Sequence, residues 1–140
     1  MSIREQQDLK EKSYTEAIRY MDNAKDTLRK AGKENNFYND KKYVSSACGI
    51  AYRGVLIALD AYLKMKDIKE PKKRRKSIEF YESNISKLDK KMLKHLDTVY
   101  GVLHIEGYYE CILDSRVIAA GFDNAYQIID KIKPDNVAVE

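Results

Sequence analysis

The residues best suited to bind phosphate form one short basic segment, KEPKKRRK at positions 69–76. Six of its eight residues are Lys or Arg. Its candidate contacts are Lys72, Lys73, Arg74 and Arg75, because lysine attracts phosphate as a point charge and arginine binds it with two parallel hydrogen bonds. No aromatic residue interrupts the segment, so it does not indicate base stacking. The alternative is a solvated turn whose charge keeps the protein soluble.

The basic character of the chain is local. The net charge is +4, and the basic segment by itself exceeds that value, so the rest of the chain is close to neutral. A dedicated nucleic-acid-binding domain usually spreads Lys and Arg over a whole face. The charge distribution therefore favours at most one phosphate contact at this segment.

Arg53 and Asp60 are charged residues in the most apolar stretch of the chain. They lie seven residues apart and hence on one face of a helix. Since buried charges need partners, we expect Asp60 to accept hydrogen bonds either indirectly from Arg53 or from tyrosines of neighbouring helices. Alternatively, both residues lie on the rim of the helix, with the charged end of Arg53 extending into solvent. A structural polar network is the preferred interpretation, and a catalytic pair is the alternative.

The segment LHIEGYYE, residues 103–110, combines His104, Tyr108 and Tyr109 with Gly107, which permits close approach of another chain segment. His104 and Tyr108 are four residues apart and so are neighbours on a helix. Histidine and tyrosine are able to exchange protons with a substrate, but no nucleophile accompanies them. Two histidines without suitably spaced Cys or carboxylate residues do not indicate a metal site. The segment predicts either a small-molecule or nucleotide site or a hydrogen-bonded cluster between helices.

Apolar periodicity predicts the elements that position these residues. Five helices are expected, at about 13–31, 41–65, 72–88, 90–107 and 115–133. Their expected N-caps are Ser13 in a capping box, Asn39 or Asp40, Asp89, and Asp114 or Ser115. We therefore predict an all-α, up-and-down bundle of four to five helices. It forms one domain over residues 1–140, with a core at about 13–133 and loosely ordered ends at 1–12 and 134–140.

The second helix carries two apolar stripes. A stripe of small residues comprises Ala47, Ala51, Gly54, Ala58 and Ala61. A bulky stripe comprises Cys48, Tyr52, Val55, Leu59 and Tyr62. Such a helix lies at the centre of a bundle, or it is shared between a core and an oligomer interface. Together with eleven tyrosines, a residue type that favours protein contacts, the pattern predicts a homodimer.

Several observations indicate a cytoplasmic protein. No run of about 18 apolar residues predicts a membrane span, and the N-terminus lacks the apolar core of a secretory signal. The two cysteines, Cys48 and Cys111, do not form a disulfide framework. They are expected to be reduced core residues. No cofactor motif is present.

The second helix resembles a known superfamily. It reads Y-x3-A-x3-A-Y-R-x2-L-x-A-L-D-A-Y-L and is followed by a basic loop containing proline and by shorter helices. This pattern is similar to the HEPN (higher eukaryote and prokaryote nucleotide-binding) helical bundles over roughly residues 13–132. With KSIEFYESNISKLDKK and LHIEGYYE, it resembles a small uncharacterised bacterial branch of that group.

The resemblance implies a two-fold dimer and one of three roles. HEPN proteins are ribonucleases with an R-x4-6-H motif, partners of nucleotidyltransferases, or inactive scaffolds. Neither His95 nor His104 has an Arg five to seven residues before it, and no His follows Arg116. We therefore predict no catalytic residue and a non-catalytic interaction or nucleotide/RNA-binding accessory module. The alternative is a divergent ribonuclease or toxin–antitoxin component that uses His104, Tyr108 and the basic segment.

Overall fold

The computed structural model describes residues 1–72 and 76–135 of the chain. It is an all-α bundle, as predicted. The helices are α1 (Ile3–Arg29), α2 (Lys41–Met65), α3 (Ile78–Leu88), α4 (Lys90–Val99) and α5 (Ser115–Ile129). A π-helix, Tyr100–Tyr109, continues α4, and a 3₁₀ turn, Asp130–Ile132, continues α5. A small hairpin of β1 (Lys33–Glu34) and β2 (Phe37–Tyr38) connects α1 to α2.

Helix α1 begins ten residues earlier than predicted. The motif S-x-x-E occurs twice, and the capping box forms at its first copy: the Ser2 hydroxyl accepts from Glu5 N at 3.1 Å, and the Glu5 carboxylate accepts from Ser2 N at 3.4 Å. The prediction of a cap at Ser13 was wrong, because Ser13 lies inside the helix. No glycine or proline interrupts residues 3–12, and Leu9 packs against the core.

The α1–α2 connection, expected as an irregular segment, contains the antiparallel hairpin. Asn35 turns it with a φ of 56°, a left-handed conformation that asparagine tolerates. Asp40 then caps α2 by accepting a hydrogen bond from Lys42 N at 3.0 Å, which confirms one of the two predicted caps. The hairpin therefore ends where the cap of α2 begins.

Helix α2 lies at the centre of the bundle. Its stripe of small residues is buried and faces α1, where a Cβ on Gly54 would lie 3.1 Å from Tyr20 Cβ. The helix also packs against the π-helix and α5, and Tyr52 and Cys48 of its bulky stripe contact His104 and Gly107 of the π-helix. The contacts of α2 with α1, the π-helix and α5 agree with the predicted central helix, and sharing of α2 with an oligomer interface stays a prediction. By length and composition α2 also qualifies as a membrane span, whereas the sequence analysis predicted no span. Half of its most apolar window is buried inside the bundle, and the core helix of a soluble protein passes the same test.

Helix α3 begins at Ile78, six residues later than predicted. Ser77 is the N-cap and accepts a hydrogen bond from Phe80 N at 3.2 Å. The whole basic segment, residues 69–76, therefore precedes the helix in the sequence. The binding candidates Lys73, Arg74 and Arg75 lie outside the described residues.

The predicted fourth helix changes its geometry halfway. Asp89 caps α4 as predicted, accepting from Met92 N at 3.0 Å, but the backbone widens into the π-helix from Tyr100 onwards. The fourth helix was predicted to end at about Gly107. Instead Gly107 lies buried within the π-helix, which continues to Tyr109. The predicted N-cap of α5 is also confirmed, because Asp114 accepts a hydrogen bond from Arg116 N at 2.9 Å.

Candidate functional site

The π-helix presents an aromatic cluster that is centred on His104. The imidazole stacks on the ring of Tyr52 from α2, with centroids 4.6 Å apart and planes 26° apart. It lies parallel to the ring of Tyr108 at 6.1 Å, and it also contacts the rings of Tyr100 at 5.2 Å and Tyr109 at 5.0 Å. Because π-helical turns often occur at functional sites, this aromatic cluster is a candidate functional site.

Small residues of α2 allow the π-helix to approach closely. The ring of Tyr108 lies directly on Gly49, where a Cβ would come within 2.9 Å of its Cδ1. The Ser45 hydroxyl donates a 2.8 Å hydrogen bond to the carbonyl oxygen of Tyr108. Gly107 lies against Cys48 and leaves no room for a side chain of its own. These contacts fix the position of the Tyr108 ring relative to α2.

An open groove of about 510 Å³ runs beside this cluster, between α1, α2 and the π-helix. We call it the α2 groove. It is lined by Tyr20, Ser46, Gly49, Ile50, Arg53, His104 and Tyr108. Three predicted site residues therefore meet there, namely Arg53, His104 and Tyr108, with Tyr109 in ring contact with the last two.

Arg53 is the one charged side chain among the described residues that line the α2 groove. It is exposed, and it forms no ion pair with any residue that the structure describes. Its guanidinium group is therefore available to an anion that enters from solvent. Arginine presents a planar fork of donors that matches a phosphate group.

Two aromatic groups of the groove and cluster, His104 and Tyr52, are neutral near pH 7. Burial lowers the pKa of His104 below its usual value, so the imidazole is uncharged. Burial also raises the pKa of Tyr52 to about 12, with smaller contributions from Tyr100 and from Glu82. An uncharged aromatic surface beside one free guanidinium group suits a ligand that has both a planar ring and an anionic group.

Asp60 belongs to a separate network. The Tyr81 hydroxyl donates a 2.7 Å hydrogen bond to Asp60, as expected for a tyrosine of a neighbouring helix. Lys76 Nζ lies 3.0 Å from carboxylate oxygens of both Asp60 and Glu70. Arg53 takes no part, because it lies about 10 Å away along the helix axis. The structure therefore places Arg53 in an open groove and Asp60 in a separate hydrogen-bonded network.

The same network changes the interpretation of the basic segment. Burial opposes the charged form of Lys76, but hydrogen bonds with Asp60 and Glu70 outweigh it and raise the pKa of this lysine. Two carboxylates thus neutralise Lys76 at the C-terminal end of the segment. Lys72 is exposed. Among residues 1–72 and 76–135, no cluster of three or more His, Cys, Asp or Glu side chains is placed to hold a metal ion.

Two comparisons find related proteins. The model of a family described as a domain of unknown function, DUF5618, matches residues 12–134, a range that contains the whole α2 groove. A solved structure, a protein of unknown function from Dyadobacter fermentans, is 41% identical in sequence, with a TM-score of 0.77. That similarity covers 88% of this chain and 94% of that chain. No curated protein matches significantly, and neither description refers to HEPN proteins.

Proposed function

The chain belongs to the DUF5618 family, and we propose that it is a non-catalytic, HEPN-like accessory module that binds a nucleotide or RNA in the α2 groove. The observation that supports this proposal is Arg53, which forms no ion pair with a described residue, beside the exposed residues Tyr108 and Tyr109. Phosphate and base are the two halves of a nucleotide, and the groove offers a matching group for each. Stacking on an aromatic side chain contributes about 1–3 kcal/mol per base.

Each part of the ligand has a proposed contact. Residues Tyr108 and Tyr109 are 44% and 65% exposed, and the base is proposed to stack on the exposed part of their rings. Arg53 receives the phosphate through two parallel hydrogen bonds. The hydroxyls of Ser46 and Tyr20, which also line the groove, are suited to a sugar. The neutral imidazole of His104 holds Tyr108 in place rather than supplying charge.

The basic segment has a secondary role in this proposal. Its charge raises the local concentration of polyanions without selecting among them. Lys76 is excluded from that role by its two carboxylate partners. Lys72, Lys73, Arg74 and Arg75 remain as the electrostatic contributors. Reversing their charges is expected to weaken RNA binding most at low salt, and an unchanged salt dependence would remove the segment from the proposal.

A divergent ribonuclease or toxin–antitoxin component is the alternative function. The observation in its favour is that His104, neutral at pH 7, lies in the same groove as Arg53 and Tyr108. A neutral imidazole is able to accept the proton of a ribose hydroxyl. We prefer the non-catalytic function because no Arg precedes a His at the spacing of the R-x4-6-H motif.

The proposal includes a cytoplasmic homodimer that works with a nucleotidyltransferase-type partner. Both predicted stripes of α2 are packed within one bundle, so a dimer has to use other surface. Light scattering over a dilution series measures the oligomeric state directly. A protein that is monomeric throughout the micromolar range would remove the dimer from the proposal and leave the groove unaffected.

Fluorescence anisotropy with a labelled single-stranded RNA tests the binding site. Arg53→Ala and Tyr108→Ala are each expected to weaken binding by about tenfold, because one removes the phosphate contact and the other the stacking surface. Gly49→Ala is expected to weaken it as well, since the new methyl group displaces the Tyr108 ring. The matched control is Arg19→Ala, which removes an exposed arginine of α1 that pairs with Glu16 outside the groove.

The same samples distinguish the two functions. If Arg19→Ala weakens binding as much as Arg53→Ala, only net charge matters and the groove is not the site. Electrophoresis of the RNA after incubation measures cleavage. Intact RNA supports the accessory module, whereas cleavage that is lost in His104→Ala supports the ribonuclease.

A further inference from the structure

A second groove lies at the C-terminal end of α1. It has a volume of about 330 Å³ and is lined by Lys25, Leu28, Arg29, Gly32, Lys33 and Tyr38. We call it the hairpin groove, because β1 and β2 form one of its walls. It shares no lining residue with the α2 groove, so a ligand bound in it would make separate contacts.

The hairpin groove combines cationic side chains with an apolar floor. Three of its six described lining residues are Lys or Arg and none is acidic, while Leu28 and the ring of Tyr38 provide apolar surface. The ammonium group of Lys25 lies 4.7 Å from the centre of the Tyr126 ring, so an aromatic face rather than a carboxylate holds it. This charge distribution is complementary to an anion.

The cations of the groove retain hydrogen-bonding capacity. Lys33 forms no ion pair with any residue that the structure describes. Arg29 pairs with Asp26 through Nη2, which leaves other donors of its guanidinium group free. An anion in the groove would therefore find donors on both walls, from α1 and from the hairpin.

The wall formed by the hairpin is held in place by backbone hydrogen bonds. Tyr38 N donates to Leu113 O at 2.9 Å, Ser115 N donates to Asn36 O at 2.8 Å, and Asn39 N donates to Gly32 O at 2.9 Å. Gly32 has a φ of +66°, a conformation that other residues adopt at a cost. The groove is thus largely preformed, and preformed sites lose less entropy on binding.

Compensation of the α1 helix dipole does not account for the whole arrangement. Cations are favourable in the last turn of any helix, which explains Arg29. Lys33, however, lies on β1 rather than on the helix. The carbonyl oxygens of Thr27 and Leu28 already accept hydrogen bonds from Lys30 N and Ala31 N. The lysine on the hairpin and the apolar floor call for a different explanation.

We propose that the hairpin groove binds a small anionic amphiphile. Its anionic group, a carboxylate, sulfonate or phosphate, lies among Lys25, Arg29 and Lys33. Its apolar body, an aromatic ring or a short acyl chain, packs on Leu28 and Tyr38. The volume lies at the lower end of the range of small-molecule sites, so the groove accommodates one small molecule rather than a polymer.

Two fluorescent probes of similar shape test this proposal on the full-length protein. Anilinonaphthalene sulfonate carries the anion, and phenylnaphthylamine is its uncharged analogue. Lys33→Glu is expected to weaken binding of the sulfonate at least tenfold, because it places a carboxylate beside the anion, and to leave binding of the amine unchanged. Lys30→Glu makes the same change of charge at the C-cap of α1, outside the groove, and is expected to leave both affinities unchanged.

Three results would overturn the proposal. Equal weakening by Lys30→Glu and Lys33→Glu would show a general charge effect. Loss of the sulfonate in Arg53→Ala would place the probe in the α2 groove. Failure of the wild-type protein to bind the sulfonate would leave the hairpin groove without this ligand class. Circular dichroism confirms that each variant is folded, and Lys33→Gln, with a smaller expected loss, replaces Lys33→Glu if that variant is not.

Discussion

The Tyr81 hydroxyl donates a hydrogen bond of 2.7 Å to Asp60, and this contact joins α3 to the central helix of the bundle. Lys76 completes the arrangement from the segment before α3. Asp60 is therefore a structural acceptor that attaches two consecutive parts of the chain to α2. Burial and the Asp60 carboxylate together raise the pKa of Tyr81, which stays protonated and keeps donating.

Removing the Tyr81 hydroxyl should destabilise the fold. Tyr81 is 4% exposed, and a hydrogen bond to a charged acceptor contributes about 1–3 kcal/mol. We expect Tyr81→Phe to lower the free energy of unfolding by about 1–2 kcal/mol, measured by urea denaturation. Tyr109→Phe removes a hydroxyl from an exposed ring and serves as control, with an expected change within about 0.5 kcal/mol. Equal effects of the two substitutions would contradict the role of this bond.

Replacing each of two glycines of the π-helix by alanine should change the stability of the protein differently. A Cβ on Gly107 would lie 2.4 Å from Cys48 Sγ and 3.0 Å from Val102 O, whereas a Cβ on Gly101 meets nothing within 4 Å. We expect Gly107→Ala to cost about 1–3 kcal/mol through overpacking. Gly101→Ala should be neutral or stabilising by up to about 1 kcal/mol, because alanine loses less backbone entropy. Thermal denaturation compares them, and a stable Gly107→Ala protein would argue against the contact of the π-helix with Cys48.

The two thiols should differ in reactivity. Burial raises the pKa of Cys48 to about 12, and the residue is fully buried, whereas Cys111 is partly exposed. Because the thiolate is the reactive form, we expect iodoacetamide to modify Cys111 in the native protein and Cys48 only after unfolding in urea. Peptide mass spectrometry identifies the modified residue. Rapid native labelling of Cys48 would show that the core is open at the π-helix.

The stability of the protein should fall in mild acid because of His104. Burial lowers its pKa in the folded state, so below the unfolded value of about 6.5 the unfolded chain binds more protons. The stabilising contribution is present above that pH and is lost as the pH falls through the folded pKa. We expect His104→Asn to show a smaller loss of stability than the wild type between about pH 7.5 and 5.5. Identical losses would place the titrating group elsewhere.

Nuclear magnetic resonance offers a direct check on the same residue. The ring of Tyr109 contacts His104 at 5.0 Å and contributes to its burial. Tyr109→Ala should therefore move the titration midpoint of His104 upward, towards the value of a solvated imidazole. A midpoint that does not respond would show that the other three rings account for the burial.

Part of the candidate site could be predicted because some of its residues stand out within their own segment of the sequence. Arg53 and Asp60 interrupt an apolar helix, and His104 and Tyr108 lie one turn apart, so composition and periodicity identified them. Gly49 and Tyr20 carry no such signal. They enter the α2 groove only because α1 and the π-helix pack on either side of α2. A residue that matters through its neighbour from another helix is not visible in its own segment.

Helix ends show the same division. Asp40, Asp89 and Asp114 cap helices as predicted, since a cap bonds to an amide within three residues. The prediction of a cap at Ser13 was wrong, because Ser2 satisfies the same local rule and no helix-breaking residue lies between the two. The widening of the helix at Tyr100 also had no local signal, and it accompanies close packing of Gly107 and Tyr108 on α2.

The sequence by itself determined the helical class and most of the helix positions, because these follow from contacts within a few residues and from the period of apolar side chains. Tertiary structure alone decided that Arg53 faces a groove while Asp60 is bound by Tyr81 and Lys76. It also decided that the hairpin completes a cationic groove with α1. The physical reason is distance along the chain: partners in these contacts are separated by up to dozens of residues, and only the packing of whole helices brings them together.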